Sequence, residues 1–207
     1  CGDTIMTDIV LATGNAGKIE ELNQMLEGTG IRARAQSHWN VPSVEETGST
    51  FVENAIIKAR HAAALTGMPS VGDDSGIEVM ALNGAPGVYS ARFAGPNATD
   101  EDNNRKLLEA MKDIPADQRQ ARFVCVMVFM RHAKDATPLI AQGTFEGMIL
   151  DKIHVGGRGF GYDPLFYVPE YGCTAAELSA EVKNRISHRG KALQLLVSKL
   201  RDEFQLA

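Results

Sequence analysis

The chain has 207 residues, 44% hydrophobic and 23% charged, with a formal net charge of −5. That balance describes an ordinary globular enzyme and excludes a protein that coats DNA or RNA, while leaving room for a local basic pocket around one anionic ligand. No apolar run reaches the ~18 residues of a membrane helix, and Cys1, Cys125 and Cys173 match neither a zinc site nor a disulfide framework, so a reducing, cytoplasmic setting is expected.

The length suits one large domain, or two lobes sharing a core. The expectation is a single α/β domain over 1–207, with Met6 as the native start and residues 1–5 a remnant outside the pattern. Residues 8–13 form a short apolar strand that runs into Gly14-Asn15-Ala16-Gly17-Lys18. Ile19, Leu22, Met25 and Leu26 then recur at helical spacing, closed by Gly28 and Gly30. Thr50 and Glu53 have capping-box spacing ahead of an alanine-rich helix to about Leu65. A short strand over 69–72 is expected to enter a polar turn, Asp73-Asp74-Ser75-Gly76, with a further strand over 77–82 and a loop at 84–87. Residues 99–111 read as a helix. The apolar, β-branched run 121–131 and the looser alternation of 139–150 predict a long antiparallel hairpin. A glycine-dense loop covers 155–162, Thr174 and Glu177 repeat the capping-box spacing, and a final helix runs over 187–204. The fold expected is a mixed twisted sheet, because a plain parallel sheet does not accommodate the hairpin.

Four segments carry chemistry, and each admits a bland reading beside a functional one. A glycine turn entering a helix offers backbone N–H groups and the positive end of the helix dipole to a phosphate, and Lys18 adds a charge. The segment matches neither the G-x-x-x-x-G-K-[ST] nor the G-x-G-x-x-G spacing. It is equally a tight strand-to-helix turn with a surface lysine. Adjacent carboxylates at Asp73 and Asp74, with Glu45 and Glu46 upstream, repel one another unless a cation compensates, and magnesium favours a few carboxylates plus phosphate oxygens. The alternative is a solvated acidic turn. Phe160-Gly161-Tyr162-Asp163 places an aromatic and an acid on a glycine loop, suited to a base and its polar edge, or else to plugging a loop onto the core. Lys183, Ser187, His188 and Arg189 cluster donors for a phosphate or purine carbonyl, or form an N-cap with solvated basic neighbours.

In order, these blocks are T-G-N-A-G-K, E-E-T-G-S-T-F-V-E-N-A-I-I-K-A, D-D-S-G-I, G-A-P-G-V-Y-S-A-R-F-A-G, G-F-G-Y-D-P-L-F and S-H-R-G-K-A-L. Together they closely resemble the inosine/xanthosine triphosphate pyrophosphatases over nearly the whole chain, with no departure at a motif position. The resemblance implies a homodimer whose two lobes flank a nucleotide-binding cleft. It implies hydrolysis of ITP, dITP or XTP to the monophosphate and pyrophosphate, with Mg2+ as cofactor and neither nucleic acid nor membrane as partner. It implies that Thr13, Gly14, Asn15, Ala16, Gly17 and Lys18 bind the triphosphate. Asp74 falls on the proton acceptor and a magnesium contact, Ser75 on a substrate position, and Glu46 on a metal ligand, with neighbouring Glu45 leaving that assignment open. Phe160, Gly161, Tyr162 and Asp163 fall on the nucleotide-contacting loop, and Lys183, His188 and Arg189 on further substrate contacts. Two rivals stand beside this reading: a nucleotide sensor without turnover, and a pyrophosphatase for modified pyrimidine nucleotides.

Overall fold

A strand of five residues, β1 (Thr7–Leu11), starts the described chain, which comprises residues 6–157 and 159–204 of a computed structural model. Residues 1–5, expected to be a remnant, lie outside the described residues. β1 feeds helix α1 (Ala16–Met25), after which β2 (Ile31–Ala35) returns in parallel beside it. Helix α2 (Phe51–Thr66) opens on the expected capping box of Thr50 and Glu53 and stops at Gly67, whose φ of 68° is the left-handed conformation a helix C-terminus needs. β3 (Ser70–Val79), α3 (Asp100–Met111), β4 (Gln120–Met130) and β5 (Leu139–Ile149) follow. Two short strands, β6 (Phe166–Val168) and β7 (Cys173–Thr174), precede helices α4 (Ala180–Ile186) and α5 (His188–Glu203).

The strands form one seven-stranded sheet in the order β2-β1-β3-β4-β5-β6-β7. β1 pairs in parallel with β2 and β3, whereas β6 pairs antiparallel with β5 and β7, so the sheet is mixed, as expected. β4 and β5 are neighbours joined through residues 131–138, too short a connection to carry the chain back to a parallel start.

The segment 73–76 corrects the sequence reading. It is no turn: β3 continues straight through Asp73, Asp74, Ser75 and Gly76, and residues 70–74 are buried. The carboxylates tolerate burial because cations from distant helices meet them.

The chain divides into two compact units, residues 1–74, 126–142 and 192–207 in the first, 75–125 and 143–191 in the second. In the first, α2 presents Ala55, Ala59 and Ala62, all fully buried, and their small size lets the helix backbone come close to β3. The second has its own core of Ile77, Val79, Leu107, Met111, Phe123, Phe145, Leu165 and Phe166. Three rings join there, with Phe166 centroids 4.5 Å from Phe123 and 5.2 Å from Phe145. Among the described residues, no helix is long and apolar enough to cross a membrane.

Candidate functional site

The first unit gathers the glycine turn and the acids. Asn15 caps α1: its Oδ1 accepts the N–H of Gly17 at 3.0 Å and of Lys18 at 3.3 Å, while Thr13 Oγ1 accepts the N–H of Asn15 at 3.2 Å. The turn therefore offers fewer free amides than its glycines suggest, because an asparagine at the N-cap takes the next donors for itself. The N–H groups of Gly14 and Ala16 have no hydrogen-bond partner among the described residues. Residues 14–17 are exposed and the first turn of α1 holds no acid, so its positive end is uncancelled.

On β3, successive side chains point to opposite faces, and the two aspartates meet different helices. Asp73 accepts from Lys18 Nζ of α1 at 2.6 Å. Asp74 Oδ2 accepts from Asn54 Nδ2 of α2 at 3.2 Å, and its Oδ1 lies 3.6 Å from Lys58 Nζ. Gly72, two residues earlier and on the Asp74 face, makes this approach possible: a Cβ there would overlap the Ala55 carbonyl oxygen and lie 2.7 Å from Ala59 N.

The approach to α2 is fixed the same way. Asn54, fully buried, accepts the Gly48 N–H at 2.8 Å, which ties the acidic segment 45–48 to the helix. Glu46 Oε1 thereby comes within 3.0 Å of Lys58 Nζ, while Glu45 is exposed. Glu46 is thus the member of the pair that joins the cluster. Burial alone would lower the Lys58 pKa, but the carboxylates of Asp74, Asp73 and Glu46 outweigh it and hold the ammonium above the usual lysine range.

Glu46 and Asp74 converge on one ammonium, a cation-sized point. Magnesium takes one or two carboxylates and fills its remaining positions with phosphate oxygens and water. Among the described residues, no group of three or more His, Cys, Asp or Glu side chains is arranged as a metal site. The two converging carboxylates suit an ion whose coordination is completed by a ligand's oxygens.

The second unit gathers the aromatic loop. Asp163 Oδ2 pairs with Lys183 Nζ at 2.5 Å and accepts the Phe160 N–H at 3.4 Å. Lys183 Nζ also lies 5.1 Å from the centre of the Phe160 ring, which is 72% exposed and so is no plug on the core. Tyr162 does the anchoring instead. Its hydroxyl donates to Ser90 O at 2.6 Å, and burial, reinforced by the charge of Asp100, pushes its pKa well above the usual tyrosine value, so it stays a donor. Ser187 ends α4, and its Oγ accepts the Gly190 N–H at 3.1 Å, capping α5 as expected. His188 stacks on Phe123 of β4 with centroids 4.8 Å apart.

The sequence model of the Ham1 family matches residues 9–199.

The chain belongs to the Ham1 family. A dITP/XTP pyrophosphatase of Photorhabdus laumondii is 58% identical over 95% of this chain and all of that protein. A dITP/XTP pyrophosphatase of Vibrio cholerae is 58% identical over 96% of this chain and 98% of its own length. The solved structure of a HAM1 protein from Coxiella burnetii superimposes with a TM-score of 0.91 at 50% identity, covering 95% of this chain and all of that one.

Within this Ham1 chain, the sequence-predicted residues fall into two clusters. Thr13 to Lys18, Glu46 and Asp74 lie in the first unit. Phe160 to Asp163, Lys183, His188 and Arg189 lie in the second, together with Ser75, which is exposed on β3 immediately after Asp74. Three partners escaped the sequence reading. Lys58 and Asn54 looked like ordinary residues of α2, and Asp73 was singled out for its charge but not as the partner of Lys18. The available signal was helical spacing, since 54 and 58 are four apart and share one face.

Proposed function

We propose that this chain is a nucleoside-triphosphate pyrophosphatase that hydrolyses the non-standard purine nucleotides ITP, dITP and XTP to the monophosphate and pyrophosphate. The observation that carries the reading is the buried Asp73–Asp74 pair within β3, met by Lys18 of α1, whose N-terminus is exposed, and by Lys58 of α2. The dITP/XTP pyrophosphatases at 58% identity supply the substrate class. A sensor without turnover has no use for this buried, compensated acid pair.

Attack on the α-phosphate needs an oriented water, charge neutralisation and little covalent help. Magnesium, when bound, supplies neutralisation on the phosphate oxygens, and Glu46 and Asp74 are the residues that would hold it. Asp74 orients the water and accepts its proton as the bond to the bridging oxygen breaks and pyrophosphate departs. The Gly14 and Ala16 amides take phosphate oxygens at the α1 N-terminus. Lys18 turns from Asp73 to the phosphates. Phe160 stacks on the base, Asp163 and Lys183 hold its polar edge, and His188 and Arg189 supply donors toward a 6-keto oxygen. Such donors are left unpaired by adenine, at roughly 1–3 kcal/mol each.

With dITP and magnesium, the expected products are dIMP and pyrophosphate, resolved by anion-exchange chromatography. Primary release of dIDP and orthophosphate would overturn the reading. Chelation should abolish turnover and added magnesium restore it. We also propose a cytoplasmic homodimer. Sedimentation equilibrium should give twice the 22.4 kDa chain mass at micromolar concentration, and a single 22.4 kDa species there would refute the dimer.

A further inference from the structure

We infer that Asp100 and Asn104 form a clamp on the Gly161 peptide groups that presets the aromatic loop for the base, making both of them positioning residues; the inference rests on the proposed role of that loop.

Asp100 and Asn104 lie four residues apart on α3 and therefore on one helix face. Asp100 Oδ2 accepts the Gly161 N–H at 2.7 Å, and Asn104 Nδ2 donates to the Gly161 carbonyl at 2.9 Å. One residue of the loop is thus held through both of its backbone polar groups. Gly161 has a φ of 62°, a left-handed conformation that a side chain would strain, although a Cβ there would meet open space. Glycine is required at this position for backbone conformation, and the clamp is what fixes that conformation.

Two further observations separate the clamp from ordinary packing. Asn104 is only 4% exposed, and its Oδ1 has no hydrogen-bond partner among the described residues. An unpaired buried acceptor is unfavourable. The Asn104 amide therefore serves the Gly161 carbonyl at the expense of its own full satisfaction. Asp100, by contrast, is exposed, and the cap of α3 does not need it, since the Thr99–Asp102 capping box is complete. The consequence falls on the neighbours of Gly161. Phe160 stays exposed over Lys183, and Tyr162 stays anchored to Ser90. With Gly161 released, Phe160 would have to be ordered by the incoming base, at a cost to binding.

The test uses D100A, which leaves the capping box intact, and D100N, which keeps an acceptor for the Gly161 N–H. D100A should raise KM for dITP on the order of 10-fold, the factor expected for one hydrogen bond, with kcat changed far less. Inhibition by inorganic tripolyphosphate, which has no base, should be unchanged. Amide hydrogen exchange at residue 161 should accelerate by a similar factor in D100A. D100N should restore both KM and the exchange rate toward the wild type. If D100A raises the tripolyphosphate inhibition constant as much as KM, or leaves KM and exchange both unchanged, the clamp is overturned. If the wild type does not turn over dITP at all, the proposed function fails and takes the role in base positioning with it, whatever the exchange rates show.

Discussion

Asp74→Asn should lower turnover of dITP by a factor on the order of 10²–10⁴, the range for loss of a general base, while the protein remains folded. The substitution keeps the shape of the side chain and leaves an oxygen able to accept from Asn54 Nδ2. It removes the charge that faces Lys58 and the capacity to take a proton. Lys58 keeps Glu46 at 3.0 Å, so no ammonium is left buried without a carboxylate, and the thermal midpoint should move little. The measurement is single-turnover hydrolysis beside circular dichroism. A folded variant with near-normal turnover would return Asp74 to a purely structural role, in which the acid merely balances the charge of Lys58.

Gly72→Ala is expected to have the largest effect on stability. Its Cβ would overlap the Ala55 carbonyl oxygen and lie 2.7 Å from Ala59 N and 3.1 Å from Lys58 Cβ. Two of those contacts are backbone inside a capped helix, which cannot rotate aside as a side chain can. Overpacking of this kind costs about 2–3 kcal/mol, which corresponds to a fall of roughly 5–10 °C in Tm for a chain of this size. Because α2 carries Asn54 and Lys58, pushing it off β3 also withdraws both from Asp74. Activity of the folded fraction should therefore fall together with Tm. A variant melting within about 2 °C of the wild type would show that α2 shifts without penalty.

The parts of the fold legible in the sequence are those whose stabilisation is local. The capping box at Thr50 and Glu53 and the β-branched run into β4 are both observed where the pattern puts them. What stayed hidden depends on distant partners. β2 is one such element: the strand carries two arginines in five residues, Arg32 and Arg34, and both reach Asp8 on β1, at 2.9 and 3.5 Å. Asp73 and Asp74 read as a turn because nothing nearby in sequence neutralises them. Lys18 lies 55 residues away from its partner. The site was legible as a set of chemically suited residues through their order along the chain, whereas their pairing was not. No spacing rule links Lys183 to Asp163 or Asp100 to Gly161.

The alternation along β3 sets an unequal tolerance to changes in chain length. Gly72 and Asp74 must share one face and Asp73 the other, so a single residue inserted or deleted between Ser70 and Asp73 exchanges the two carboxylates between their lysines. It would also turn a side chain toward the backbone of α2. The connection at 131–138 has no such parity to keep. In a library of one-residue insertions, the β3 positions should be lost under selection while that connection persists. Inheritance of this site is thus constrained by counting along one strand as much as by the identity of its acids.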